Sequence, residues 1–193
     1  MTIDLNDAGT QQSRDVLPEN CLVNVVLTVK PGGAGDDGML TAAKDGNSEH
    51  LNCEFTVFEG EHAKRKIWAR LTVSGKNHQQ AIDISRKTLK AVLECARGVK
   101  PGDESDVAKA ARQVKSWADF DQLRVMVRLG VEPPKNGFQA KNFVKEVITP
   151  DHTAWKKLEQ VDRSTITAPA APAAPGTAAA APANAITRPD WAK

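Results

Sequence analysis

The chain has 193 residues, 40% hydrophobic and 26% charged, with a formal net charge of +2. That balance belongs to a globular chain long enough to bury a sizeable core. No apolar run approaches the roughly 20 residues that cross a bilayer, which excludes a spanning helix. Met1 to Asp15 lacks the basic-then-apolar layout of a signal peptide, so the expectation is a cytoplasmic protein without a membrane partner.

Cys21, Cys53 and Cys95 are odd in number and widely spaced. They fit free thiols in a reducing compartment better than a disulfide framework or a CxxC metal site. The charge is uneven. Residues 1 to 20 hold Arg14 against Asp4, Asp7, Asp15 and Glu19, a net −3, whereas residues 21 to 164 carry 23 cations and 19 anions, a net +4. A mildly basic middle is compatible with a polyanionic partner, and many enzymes carry as much.

Residues 1 to 20 are polar, aperiodic and closed by Pro18 and its neighbours, the composition of a flexible arm. Leu22 to Lys30, rich in Val and Leu and stopped by Pro31, predicts a strand. The glycine-rich PGGAGDDG at 31 to 38 invites comparison with a phosphate-binding loop. No GK[ST] follows and no helix opens after it, so a mobile connection between strands is the better reading. Met39 to Ala43 could extend the sheet, and KDGNS at 44 to 48 is a turn.

Leu51 to Phe58 and Lys66 to Val73 both alternate with period 2 around a polar turn holding Gly60, the pattern of an antiparallel hairpin. In the second run Ile67, Ala69, Leu71 and Val73 share one face, and Lys66, Trp68, Arg70 and Thr72 the other. The first face belongs to a core. The second sets an indole between two cations, with Lys64 and Arg65 just before it, an arrangement suited to stacking a base and neutralising phosphates. The plainer reading is a half-buried tryptophan among solvated charges.

From His78 to Arg97 the period becomes helical, with Ala81, Ile84, Thr88, Leu89, Val92 and Cys95 on one stripe and Gly98 as the stop. A shorter helix is predicted from Asp103 to about Val114, with Asp103 or Ser105 as N-cap. Leu123 to Val131 alternates again, pointing Leu123, Val125, Val127, Leu129 and Val131 inward and Arg124, Met126 and Arg128 outward. After EPPKNG, Phe138 to Thr149 predicts a fifth strand with Lys141, Phe143 and Lys145 on one face. Pro150 ends it, and Asp151 could cap a short helix through Leu158. From Ser164 the Ala/Pro-rich run predicts a disordered linker, ending in a tip that contains Trp191.

Three strands, a helix and two strands disfavour a parallel doubly wound sheet. They match a mainly β fold with α, the five-stranded Greek-key barrel of the oligonucleotide-binding (OB) fold, with its helix between strands 3 and 4 and a disordered C-terminal tail. The corresponding domains are an arm over 1 to 20, the OB-like domain over 21 to 163, and linker and tip over 164 to 193. In that fold Lys64, Arg65, Lys66, Trp68 and Arg70 would form the ligand face. Arg124, Arg128, Lys141, Phe143 and Lys145 would extend it.

Nothing in the sequence marks a catalyst. His50, His62, His78 and His152 lack HExxH spacing, and no G-x-S-x-G, Walker or deaminase signature occurs. Glu54, Glu59 and Glu61 could be imagined as acid and base, but solvated carboxylates are the default. No cofactor or metal is called for.

Ile3 to Ala8 (IDLNDA), the LNCEFTVFEG run at 51 to 60, RKIW at 65 to 68 with the following LTVSG, and KNFVKEVITPD at 141 to 151 together resemble a family of bacteriophage and prophage proteins found among replication and recombination proteins. The resemblance spans most of residues 3 to 151. It implies sequence-independent binding of single-stranded DNA, RNA remaining open, by a non-enzymatic protein of the bacterial host cytoplasm, with self-association left undetermined. The core, linker and tip also resemble the plan of proteins that recruit a replication or recombination partner through a terminal peptide, although TRPDWAK is neutral to basic where bacterial tips are acidic. The alternative is a structural or protein-interaction phage component using the same face, with Trp68 as an interface anchor.

Overall fold

The structure, a computed structural model, describes residues 16–135 and 137–160. Most of the expected arm, and the whole expected linker and tip, lie outside the described residues. The described elements are β1 (Leu22–Lys30), β2 (Thr41–Ala42), β3 (Ser48–Val57), β4 (Lys66–Gly75), α1 (Gln79–Arg97), α2 (Asp106–Ala111), a 3-10 turn (Trp117–Phe120), β5 (Arg124–Glu132) and β6 (Lys141–Val147). The described residues are mainly β, with one antiparallel sheet of six strands and a few helices. No described helix is long and apolar enough to cross a membrane.

The strands form where alternation lets one face be buried. Val23, Val25, Leu27 and Val29 of β1 meet Leu51, Cys53, Phe55 and Val57 of β3, Ile67 and Leu71 of β4, and Val125, Val127 and Leu129 of β5 in one core. β1 lies between β3 and β5, with Leu27 opposite Phe55 and Val25 opposite Val125. β3 pairs with β4 in the predicted hairpin, β5 pairs with β6, and β2 pairs with β3 opposite His50 and Glu49.

The expected closed barrel is not what these ladders make. The sheet runs β2-β3-β1-β5-β6 with β4 on β3, and among the described residues no ladder joins β4 to β6. The reason lies before β1. Leu17 is only 6% exposed and inserts into the core. Its backbone is held on both sides by Asn142 of β6, whose Oδ1 accepts from Leu17 N at 2.8 Å and whose Nδ2 donates to Leu17 O at 2.9 Å. The Asn20 amide donates to the Leu129 carbonyl at 2.8 Å. Residues 16–20 are thus anchored to β5 and β6, although the sequence places them within the arm.

α1 packs against β4, β5 and β6 and so spans the unjoined edges. Its buried residues are Ile82, Ser85, Leu89, Val92, Leu93, Glu94, Cys95 and Ala96. The expected stripe starts on the wrong side, since Ile84 is 57% exposed. α1 ends as predicted at Gly98, whose left-handed φ of 70° lets its N–H return to Glu94 O. α2 is shorter than expected. Its cap is Ser105, whose hydroxyl accepts from Ala108 N at 3.2 Å.

Two loops depart from expectation. The glycine-rich connection is pinned, because Asp37 Oδ2 accepts from Ser116 Oγ at 2.6 Å and Trp117 N at 2.7 Å. Those hydrogen bonds, Ser116's first, hold the Asp37 carboxyl below its ordinary range. At Gly32 a Cβ would lie 1.9 Å from Thr41 Oγ1, so only glycine lets the loop cross β2 there. The helix expected from Asp151 to Leu158 is replaced by turns. Gln160 explains the extended path: its amide accepts from Arg124 N and donates to Arg124 O, both at 2.9 Å, continuing the sheet with a side chain.

Candidate nucleic-acid interface

The β3–β4 register determines what stands beside the exposed indole. Glu54 pairs with Trp68, Asn52 with Arg70 and Thr56 with Lys66, so all six side chains share the face away from the core. Trp68 is 67% exposed, the most exposed of the large aromatic residues on a strand. Its Nε1 donates to Glu54 Oε2 at 3.3 Å. The polar edge of the ring is therefore fixed to the sheet while its faces remain available to a flat ligand.

Glu54 itself is only 7% exposed, although it lies on the outer face. Lys66 Nζ stands 3.0 Å from its Oε1 and Lys30 Nζ 3.5 Å from its Oε2. Burial alone would raise its carboxyl. The Lys66 and Lys30 ammoniums and the indole N–H outweigh that effect and hold it below the ordinary range. The default of a solvated carboxylate fails at this position.

A groove of about 580 Å³ runs beside the platform. One wall is Lys64, Arg65, Lys66 and Trp68 at the start of β4; the other is Lys141 and Asn142 of β6, with Leu17 between them. The groove is the opening that the unjoined sheet edges leave. Lys64 and Arg70 are exposed and, among the described residues, pair with no carboxylate. Lys141 pairs with Glu132 at 3.0 Å, but its side chain is 70% exposed. A pair this exposed contributes about 1 kcal/mol or less and yields readily to a phosphate.

The other sequence candidates stand apart. Arg124 lies over the Phe58 ring at 4.9 Å and donates to Glu159 O at 3.2 Å. Arg128 pairs with Glu146 at 3.6 Å and His152 Nε2 at 3.0 Å. Both side chains hold residues 146–160 in place, so neither extends the groove. Lys145 reaches Asn20 Oδ1 at 2.9 Å and Glu19 at 3.4 Å, tying down the segment before β1. Phe143 is 40% exposed, yet its ring lies over Gly130, where a Cβ would come within 2.4 Å of it.

Sequence reasoning missed Glu54 as the anchor of Trp68, Lys30 on the same face, and Leu17 as a wall. The first had a partial signal: period 2 puts Glu54 on the outward face of the hairpin with Trp68, but the register that sets the two opposite each other depends on the turn. Leu17 had none, because a single apolar residue in a polar arm has no period. Compared with known proteins, the chain matches no family model and no curated protein.

Proposed function

We propose that the protein binds single-stranded nucleic acid without turnover, and that its ligand is single-stranded DNA exposed during phage-type replication or recombination. The observation that carries this reading is Trp68, held by its N–H edge and 67% exposed at the side of a cation-walled groove. A base stacks on the indole, a contact worth about 1–3 kcal/mol per base, while Lys64, Arg65, Arg70 and Lys141 follow the phosphates. Such binding is nearly indifferent to sequence and weakens steeply with salt.

The topology supports the same reading. Taking β1, β3, β4, β5 and β6 as five strands, the order β4-β3-β1-β5-β6 with α1 between β4 and β5 is that of an OB barrel opened between its third and fifth strands. The groove occupies that opening. One observation favours a protein ligand instead: the edge of β4, which no strand covers among the described residues and where an extended segment could add as a strand.

Titration of a labelled poly-dT oligonucleotide at low and moderate salt, beside duplex of equal length, tests the proposal. The expected result is preferential single-strand binding that falls with salt. Trp68→Ala with Arg70→Ala should weaken it on the order of tenfold to a hundredfold. No binding by the wild-type protein at low salt overturns the proposal and turns attention to the β4 edge.

A further inference from the structure

Glu54 is an awkward residue for a surface that attracts phosphate. It places a carboxylate under the stacking platform, where its field repels the ligand. It is also buried, at a cost that its donors, Lys66, Lys30, Trp68 and more distantly Thr56, offset. An isolated solvated glutamate would have no such geometry. Here both oxygens are used, Oε1 by Lys66 and Oε2 by Lys30 and the Trp68 indole, with Thr56 Oγ1 3.4 Å from Oε1. The lysine side chains remain about half exposed, at 51% for Lys30 and 48% for Lys66, against 9% for the carboxylate they share. An ammonium that swings onto a phosphate weakens its contact with a carboxylate that is itself shielded from water.

We infer that Glu54 is a positioning residue that tunes the platform in two ways: it orients the Trp68 ring, and it withholds Lys30 and Lys66 from the phosphate backbone. This rests on the single-strand-binding reading above. The free protein then offers phosphates Lys64, Arg70 and the loosely paired Lys141, with two further cations held back. The consequence is moderate affinity, with a salt dependence that is less steep than the full set of cations on this face would give. A protein that must later be displaced from its strand gains from this.

The isosteric Glu54→Gln variant separates the two roles, because its amide oxygen still accepts from the indole N–H while its charge is gone. Each freed lysine that neutralises a phosphate steepens the dependence of log affinity on log salt by about 0.7 for a single strand. Glu54→Gln should therefore bind poly-dT more tightly than wild type at low salt, with a slope steeper by about 0.7–1.4. A double-mutant cycle gives a second measure. Lys66→Gln should cost little in the wild-type background and clearly more in the Glu54→Gln background. For orientation, the Trp68 contribution to fluorescence anisotropy, taken as the difference from Trp68→Phe, should survive in Glu54→Gln and fall in Glu54→Ala.

Wild-type binding with an unchanged slope in Glu54→Gln overturns this inference alone, as does an equal cost of Lys66→Gln in both backgrounds. Failure of the wild-type protein to bind single strands overturns the function and the inference together. Should Glu54→Gln lose its fold by circular dichroism, Lys66→Gln in the wild-type background still decides. A loss of affinity and of about 0.7 in slope would show the lysine already on phosphate, against the inference.

Discussion

The β3–β4 face and the β5–β6 face carry the same residue types and use them oppositely. On β4, Trp68 and Arg70 project from the sheet, and Arg70 pairs with no carboxylate among the described residues. On β5 and β6 three cations are occupied, Arg124 by Phe58 and Glu159, Arg128 by Glu146 and His152, Lys145 by Glu19 and Asn20, and only Lys141, at the groove, is loosely paired. The aromatic residues diverge in the same way, Trp68 standing on a hydrogen bond from its edge and Phe143 resting the far end of its ring against the bare backbone of Gly130. An outward arginine on a strand is thus no guide to a ligand until its internal partners are known. What distinguishes a binding face is charge left uncommitted by the rest of the chain.

The contrast breaks most visibly at Gly130. A methyl group there would lie 2.4 Å from the Phe143 ring, so Gly130→Ala must push the ring outward. Displacement of this kind costs about 1–3 kcal/mol, to be read as a fall in Tm or in the denaturant midpoint. If the β5–β6 face is structural, poly-dT affinity stays at the wild-type value in the same variant. If affinity falls along with stability, Phe143 is a second stacking surface and the two faces form one site. Arg128→Ala is a smaller version of the test. It should lower stability by about 1 kcal/mol through the lost Glu146 and His152 contacts and leave the salt slope of binding unchanged.

Strand identity was legible because the core side of each strand is a run of alternating Val, Leu, Ile and Phe, and a period of 2 survives any tertiary context. The Trp68–Arg70 face was legible for the same reason. What escaped depends on contacts distant in sequence. Leu17 fills the space between β4 and β6 only because Asn142, 125 positions later, binds its backbone. That one insertion keeps the ladder from closing. Ile84 and Ile82 both fit a helical stripe over one turn, and only the packing of α1 against β4, β5 and β6 selects Ile82. The commitment of Arg124 could not be foreseen either, because Glu159 and Gln160 lie just past the expected short helix and have no periodic pattern of their own.

The smallest expected effect concerns acid, and it sharpens the contrast from the other side, since Glu54 is the one buried carboxylate of the β3–β4 face. Its carboxyl is lower in the folded protein than in the unfolded chain, so its ionised form stabilises the fold above the ordinary glutamate value of about 4.3. That contribution is fully present at neutral pH and is lost as pH falls from there through the depressed folded value. Glu54→Gln, which has nothing to protonate, should therefore show a shallower loss of stability on the acid side than wild type, measured by chemical denaturation at a series of pH values. Near neutrality the difference reverses into a modest deficit, because the variant lacks the Lys66 and Lys30 contacts. Parallel acid limbs in the two proteins would mean that the lysines leave Glu54 largely hydrated. The buried anchor beneath Trp68 would then have to be sought in packing alone.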